Sequence, residues 1–137
     1  MLVSTDQALN AIKTFPQGSS GGQDGLCPQH LKDMTERQVG GTLIVALTNL
    51  VNFILAGKAP VWLRPYFFGA SLIAFGKKDG GLRPIAVGLT LRRLVAKVAC
   101  RIASAECIAY LKPRQLGAGV KAGAEALAHG ARHYLDN

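Results

Sequence analysis

Lys77, Lys78 and Arg83 stand in one short stretch, Lys77-Lys78-Asp79-Gly80-Gly81-Leu82-Arg83, and their types and spacing suit the holding of phosphate. A lysine ammonium is a compact point charge for phosphate oxygens, and a guanidinium grips two of them at once through parallel N–H donors. Such a group suits a polyphosphate or a nucleic-acid backbone. Further along, Arg92, Arg93, Lys97, Arg101 and Arg114 form a second set of cations. Arg93, Lys97 and Arg101 recur at every fourth position, so a helix would carry them on one face. Like charges at that spacing destabilise a helix by roughly 0.2–0.5 kcal/mol per pair. A stripe that accepts this repulsion suits backbone phosphates, while a plain solvated face explains the same letters.

The elements that must position these groups are legible around them. Two apolar runs, Ser71-Leu72-Ile73-Ala74-Phe75 and Leu82-Arg83-Pro84-Ile85-Ala86-Val87, flank the Asp79-Gly80 pair. Asp-Gly between strand-like runs signals a β-hairpin, because glycine takes positive φ without steric penalty. A hairpin is therefore expected over 70–88, with both lysines at its tip and Arg83 on the returning strand. Ser4 or Thr5 is placed to cap a first helix running to about Thr14, with Leu9 and Ile12 on one face and Phe15-Pro16 as its end. Residues 16–26 are glycine-rich and read as a connector. Their amides could cradle phosphate, but the Lys-Ser/Thr of a phosphate loop is missing. Pro28 begins a short helix through Met34, and an apolar helix is expected over 38–57 with Gly57 as its stop. Pro60 to Pro65 reads as an extended link, with a third short strand near residues 66–70 and with Trp62, Phe67 and Phe68 as core anchors. A long helix is expected from Thr90 to Lys112, with Leu91, Val95, Val98 and Ile102 as its apolar face. Pro113 stops it, and a last helix runs from Ala122 to Leu135.

Composition narrows the partners. The 137 residues suit one domain, and 49% hydrophobic residues are enough to fill a core. The net charge of +8 is concentrated: residues 58–114 hold eleven Lys and Arg against Asp79 and Glu106, a net of +9. Such a field attracts anions over a Debye length or more, and nucleic acid is the commonest partner of that kind. Three cysteines, Cys27, Cys100 and Cys107, make no disulfide framework and fit a reducing, intracellular compartment, nuclear or cytoplasmic. The N-terminus does not read as a signal peptide. Residues 38–57 hold no charge, but Asn49, Asn52 and Gly40-Gly41 lower their hydrophobicity, and Leu43, Leu47, Leu50 and Ile54 recur at helical spacing. They read as a buried helix and not as a membrane span. Cys27, His30, His129 and His133 include pairs at ligand spacing, but neither pair is specific for zinc, and buried cysteines and surface histidines explain them. The eight acids are scattered, so no pair of carboxylates for two-metal phosphoryl transfer is visible.

Taken in order, four landmarks resemble the N-terminal part of a reverse transcriptase, the RNA-directed DNA polymerase of non-LTR retrotransposons. Gly18-Ser19-Ser20-Gly21-Gly22-Gln23-Asp24-Gly25-Leu26, ahead of Pro28 to Lys32, is similar to the family's glycine-rich opening segment. The apolar helix followed by Gly57-Lys58-Ala59-Pro60-Val61-Trp62 is similar to its next stretch. Lys77 to Ile85 resembles its fingers hairpin and is the most specific landmark. Gln115-Leu116-Gly117 with Gly119 resembles the segment before the catalytic strand. The resemblance covers most of the chain and rests on the order of all four.

The resemblance implies an α+β fold, mostly helical with one antiparallel hairpin, in which residues 1–137 form a single partial domain: the fingers and the start of the palm. It implies that Lys77 and Arg83, with Lys78 beside them, hold the triphosphate of an incoming deoxynucleotide. It also implies RNA or an RNA–DNA duplex as partner, and magnesium and deoxynucleotides for the full-length family. Arg92, Arg93, Lys97, Arg101 and Arg114 suit the template backbone by charge alone. The family's catalytic Asp-aromatic strand and Tyr/Phe-x-Asp-Asp turn do not occur in these residues, and Asp136 follows a helical stretch and is not their equivalent. The chain is therefore expected to bind nucleic acid or nucleotide phosphate without polymerising, and to self-associate through the surface that would pack on a palm. The alternative is a non-enzymatic basic RNA-binding or interaction protein. A membrane-associated protein using residues 38–57 is a third reading.

Overall fold

The computed structural model describes residues 2–111, 115–117 and 119–136. It is an α+β structure, mostly helical, with one two-stranded antiparallel sheet among the described residues. The chain divides into two compact units, one ending at Val98 and the other beginning at Ala99.

The first unit opens with α1 (Thr5–Lys13). Ser4 caps it: the Ser4 hydroxyl accepts the Gln7 amide, and the Gln7 side chain accepts the Ser4 amide. α1 buries Ala8, Ala11 and Ile12 against α2 (Pro28–Thr35) and α3 (Gly40–Leu55). α3 presents Leu47, Thr48 and Val51 to this core and leaves Val45 and Phe53 exposed, so it is buried on one face only. Packing against α1 and α2 from one side explains why. Asn52 does more than lower the hydrophobicity of α3: its amide side chain accepts the Val3 N–H at 2.7 Å and donates to the Val3 carbonyl at 3.0 Å. That pair ties the chain's start to the helix. Gly57, with φ +71°, takes the left-handed conformation just past the helix end. No helix among the described residues is long and apolar enough to cross a membrane.

Residues 61–68 differ from the expectation. They form neither an extended link nor a third strand, but a 3-10 turn (Val61–Leu63) running into α4 (Arg64–Phe68). Pro65 sits in the first turn of α4, where a missing N–H costs nothing and the fixed φ is already helical. Prolines that look like strand punctuation here start a helix. Only Phe67 is a core anchor, at 6% exposure; Trp62 at 71% and Phe68 at 51% face solvent. The helical turn explains the split, because Leu63 and Phe67 are one turn apart and take the inward side, which turns their neighbours outward.

β1 (Ala70–Gly76) and β2 (Leu82–Gly88) form the hairpin over the expected residues, with Ile73 opposite Ile85 and Phe75 opposite Arg83. α5 (Thr90–Leu111) follows at once. Leu94, Val95 and Val98 are its buried apolar residues, and Leu91 is only partly covered. Leu94 lies one turn before Val98, so the inward stripe is rotated slightly from the expected one. Lys112 and Pro113, the expected helix end, lie outside the described residues.

The glycine-rich loop docks on the start of α5. The buried Thr90 hydroxyl donates to the Leu26 carbonyl, and the Arg93 guanidinium donates to the Ser20 carbonyl and, at 3.0 Å, to Thr90 Oγ1. A Cβ on Gly22 would stand 2.7 Å from the Cα of Leu89. In the second unit, α6 (Gly123–Leu135) is almost wholly exposed, and Gly123 is buried against the Leu116 carbonyl. Cys100 and Cys107 are exposed, not buried as expected, and Cys27 is partly covered. Both exposed thiols lie beyond Val98 on α5, in the second unit.

Two substitutions test the docked loop by urea unfolding. Thr90→Val leaves the Leu26 carbonyl without its donor and should cost about 1–3 kcal/mol. Gly22→Ala should cost about 1–3 kcal/mol, because backbone must move to admit the methyl. Gly41→Ala, where no atom lies within 4 Å of the new carbon, should change stability by less than about 0.5 kcal/mol.

Candidate functional site

The hairpin tip is built by backbone geometry and one carboxylate. The Lys77 amide donates to the Gly81 carbonyl at 2.7 Å and the Gly80 amide to the Lys77 carbonyl at 3.1 Å. Lys78 and Asp79 are thus the two central residues of a turn, and Gly80 closes it at φ +81°. Asp79 Oδ1 accepts the Gly81 N–H at 3.2 Å. The loop is longer than the two-residue Asp-Gly turn, and the glycine serves to end the turn instead of forming its centre.

Side chains alternate across the two strands, so Ile73, Phe75, Arg83 and Ile85 share one face. Phe75, Arg83 and Ile85 join Gly76, Lys77, Lys78 and Asp79 in lining an open concavity of about 560 Å3. Its lining combines an aromatic ring and a branched alkyl chain with two lysines, an arginine and the Asp79 carboxylate. Lys77, Lys78 and Arg83 are exposed, and none of their side chains makes a hydrogen bond or ion pair among the described residues. Their donors are therefore open to an anion. The structure brings these three expected residues together. Phe75 and Ile85 were not foreseen; the signal for them was the pairing register, which follows once the turn is fixed at 77–81.

The second set of cations divides differently. Arg92 Nη1 donates to the Phe68 carbonyl at 2.9 Å, joining α5 to the end of α4. Arg93 holds the glycine-rich loop as described, and its guanidinium lies 5.9 Å from the Phe15 ring centroid. Its Nε is buried with no hydrogen-bond partner among the described residues. Lys97 Nζ lies 4.1 Å over the same ring, and Lys32 donates to the Phe15 carbonyl at 2.7 Å. Arg92, Arg93 and Lys97 are partly covered and hold the fold together, whatever else they touch. Arg101 is exposed in the second unit, and Arg114 lies outside the described residues. The four-residue spacing of Arg93 and Lys97 thus has a structural cause: both reach the face of one buried phenylalanine.

The Cys27–His30 pair also has a local structural use. His30 Nδ1 accepts the Cys27 amide at 3.2 Å, closing the first turn of α2. Among the described residues, no group of three His, Cys, Asp or Glu side chains is arranged to hold a metal.

Asp79 acts on the turn through its oxygen and on the site through its charge, and two variants separate these. Asp79→Asn retains an oxygen for the Gly81 N–H and removes a negative charge from the lysine tip. It should preserve slow exchange of the Gly81 amide and tighten tripolyphosphate binding. Asp79→Ala should speed that exchange, as read by NMR, and lose turn order. Equal exchange in both variants would remove Asp79 from the description of the turn.

No protein-family model, curated protein or solved structure matches this chain.

Proposed function

We propose that this chain is a fingers-like portion of a reverse-transcriptase-type protein, which binds the phosphates of nucleic acid or of a nucleoside triphosphate through the hairpin 70–88. The observation that carries the reading is the tip itself: Lys77, Lys78 and Arg83, exposed, line one concavity with Phe75 and Ile85. A triphosphate needs clustered donors of positive charge, and a base or sugar needs an apolar surface beside them. The sequence landmarks at Gly18–Leu26, Gly57–Trp62, Lys77–Ile85 and Gln115–Gly119 support the same reading by their order. The parent activity would be RNA-templated DNA synthesis with deoxynucleotides and magnesium. These 137 residues are proposed to bind only. Exposed apolar side chains on the hairpin, Leu72 and Leu82 among them, are the proposed surface for self-association, which sedimentation at rising concentration measures directly.

The second reading is a non-enzymatic basic RNA-binding protein whose hairpin meets only backbone. It is favoured by the same cations and differs in one respect: added deoxynucleotide should not compete with RNA at the tip.

The test is binding of a labelled RNA–DNA primer-template across a salt series. Affinity should fall linearly on logarithmic axes. The Lys77→Ala/Lys78→Ala/Arg83→Ala variant should show a slope shallower by about 2–3, close to one unit per phosphate contact removed. Millimolar deoxynucleotide should displace the primer-template from the wild type and have little effect on the variant. An unchanged slope in the variant would take the hairpin off the phosphates. Displacement failing while the slope changes would leave the second reading.

A further inference from the structure

The turn before the hairpin carries two aromatic rings that the core does not use. Trp62 and Tyr66 are each 71% exposed. They lie one helical turn apart, Trp62 in the 3-10 turn and Tyr66 in α4, so they are surface neighbours while Phe67 anchors the same helix in the core. Pro60 restricts the backbone before the rings and Pro65 between them, and Phe68, at the end of α4, is held through its carbonyl by Arg92. The rings thus project from a short, braced element.

We propose that Trp62 and Tyr66 form a stacking platform for the unpaired bases of a nucleic-acid strand. The proposal rests on the nucleic-acid reading above for its class of ligand, and it adds single-strandedness to it. Stacking needs exposed π faces beside positive charge, and any base can supply the partner face. The charge is present: Lys58 and Arg64 are exposed close to the rings in sequence, and no carboxylate occurs between Glu36 and Asp79. That long stretch without acid is complementary to a polyanion. A bilayer is a poorer fit. Interfacial helices bury a long apolar face, whereas the 3-10 turn and α4 together make only eight residues. Aromatic rings with one polar end, each on its own turn, suit flat partners.

Trp62 is the sole tryptophan of the chain, so intrinsic tryptophan emission reports on this surface alone. The experiment titrates the full chain with a fluorescein-labelled oligo(U) 12-mer. Anisotropy reads total binding, tryptophan emission reads stacking, and N-acetyltryptophanamide corrects for absorption. Inorganic polyphosphate, a perfectly paired duplex and vesicles containing phosphatidylserine serve as comparison ligands. Oligo(U) at saturation should quench Trp62 by half or more, and polyphosphate and duplex should leave it nearly unchanged. Tyr66→Ala and Trp62→Ala should each weaken oligo(U) binding about 5- to 150-fold and leave polyphosphate binding unaltered, with Trp62→Phe restoring most of the affinity. Binding by anisotropy without quenching overturns the platform and spares the hairpin reading. Quenching that polyphosphate reproduces also overturns it. A larger emission shift with vesicles, or with protein concentration alone, assigns the surface to a membrane or to a second copy and overturns it as well. No binding to any polyanion overturns both readings together.

Discussion

The structure depends on one short junction, residues 88–93, where the hairpin becomes α5. Gly88 is buried, Leu89 meets Gly22, the Thr90 hydroxyl holds the Leu26 carbonyl, Arg92 holds the Phe68 carbonyl and Arg93 holds the Ser20 carbonyl. Within six residues the chain fastens the glycine-rich loop, the end of α4 and the base of the returning strand. A two-stranded hairpin is marginal by itself in water. This one is exposed along most of its length, so its orientation comes from its base. Each of these bonds joins segments far apart in sequence, 64 residues for Thr90 and Leu26 and 73 for Arg93 and Ser20. They order the loop only once the helices have packed.

The junction also explains how the cations divide. A guanidinium has donors enough for several carbonyls, and here they meet main-chain carbonyls at exposed positions. Arg92 and Arg93 satisfy such carbonyls, and Lys97 and Arg93 approach the buried Phe15 ring. The side chains of Lys77, Lys78 and Arg83 satisfy nothing among the described residues, so their hydration is what a ligand must displace. A net charge of +9 over residues 58–114 is therefore one number with two meanings: part of it holds the fold, and part of it is presented to solvent.

Local features were legible in the sequence, and contacts between distant segments were not. The hairpin bounds follow from Asp79-Gly80 between two apolar runs, and the α1 cap falls on Ser4, one of the two candidates with Thr5, because both features are decided by neighbours in sequence. The segment 60–70 misleads because proline marks both the edge of an extended link and the first turn of a helix, and only packing of Leu63 and Phe67 selects between them. Gly22 reads as connector flexibility until Leu89 is beside it. The Arg93–Lys97 spacing reads as a solvent or ligand face until Phe15, some eighty residues earlier, supplies the ring between them. Phe75 and Ile85 needed only the register, so the candidate site was nearer to legible than the core that supports it.

The two proposed surfaces are consecutive in the chain, and their geometry limits what bridges them. Gly69 alone separates α4 from β1, and a Cβ there would stand 2.6 Å from the Pro65 carbonyl, so the corner admits no side chain without shifting backbone. The tight corner links the aromatic turn to the strand that leads to the lysines. β1 has seven residues, and an extended strand rises about 3.3 Å per residue, so the tip stands roughly 20 Å beyond the corner. A bound strand must cross that distance to reach both surfaces. On the two proposals, a shorter strand meets either the rings or the cations, and a longer one engages both, with its bases unpaired at one end and its phosphates gripped at the other. Single-stranded character at the platform and a strong dependence on salt at the tip are then properties of one bound strand, because the same corner fixes both ends of the path.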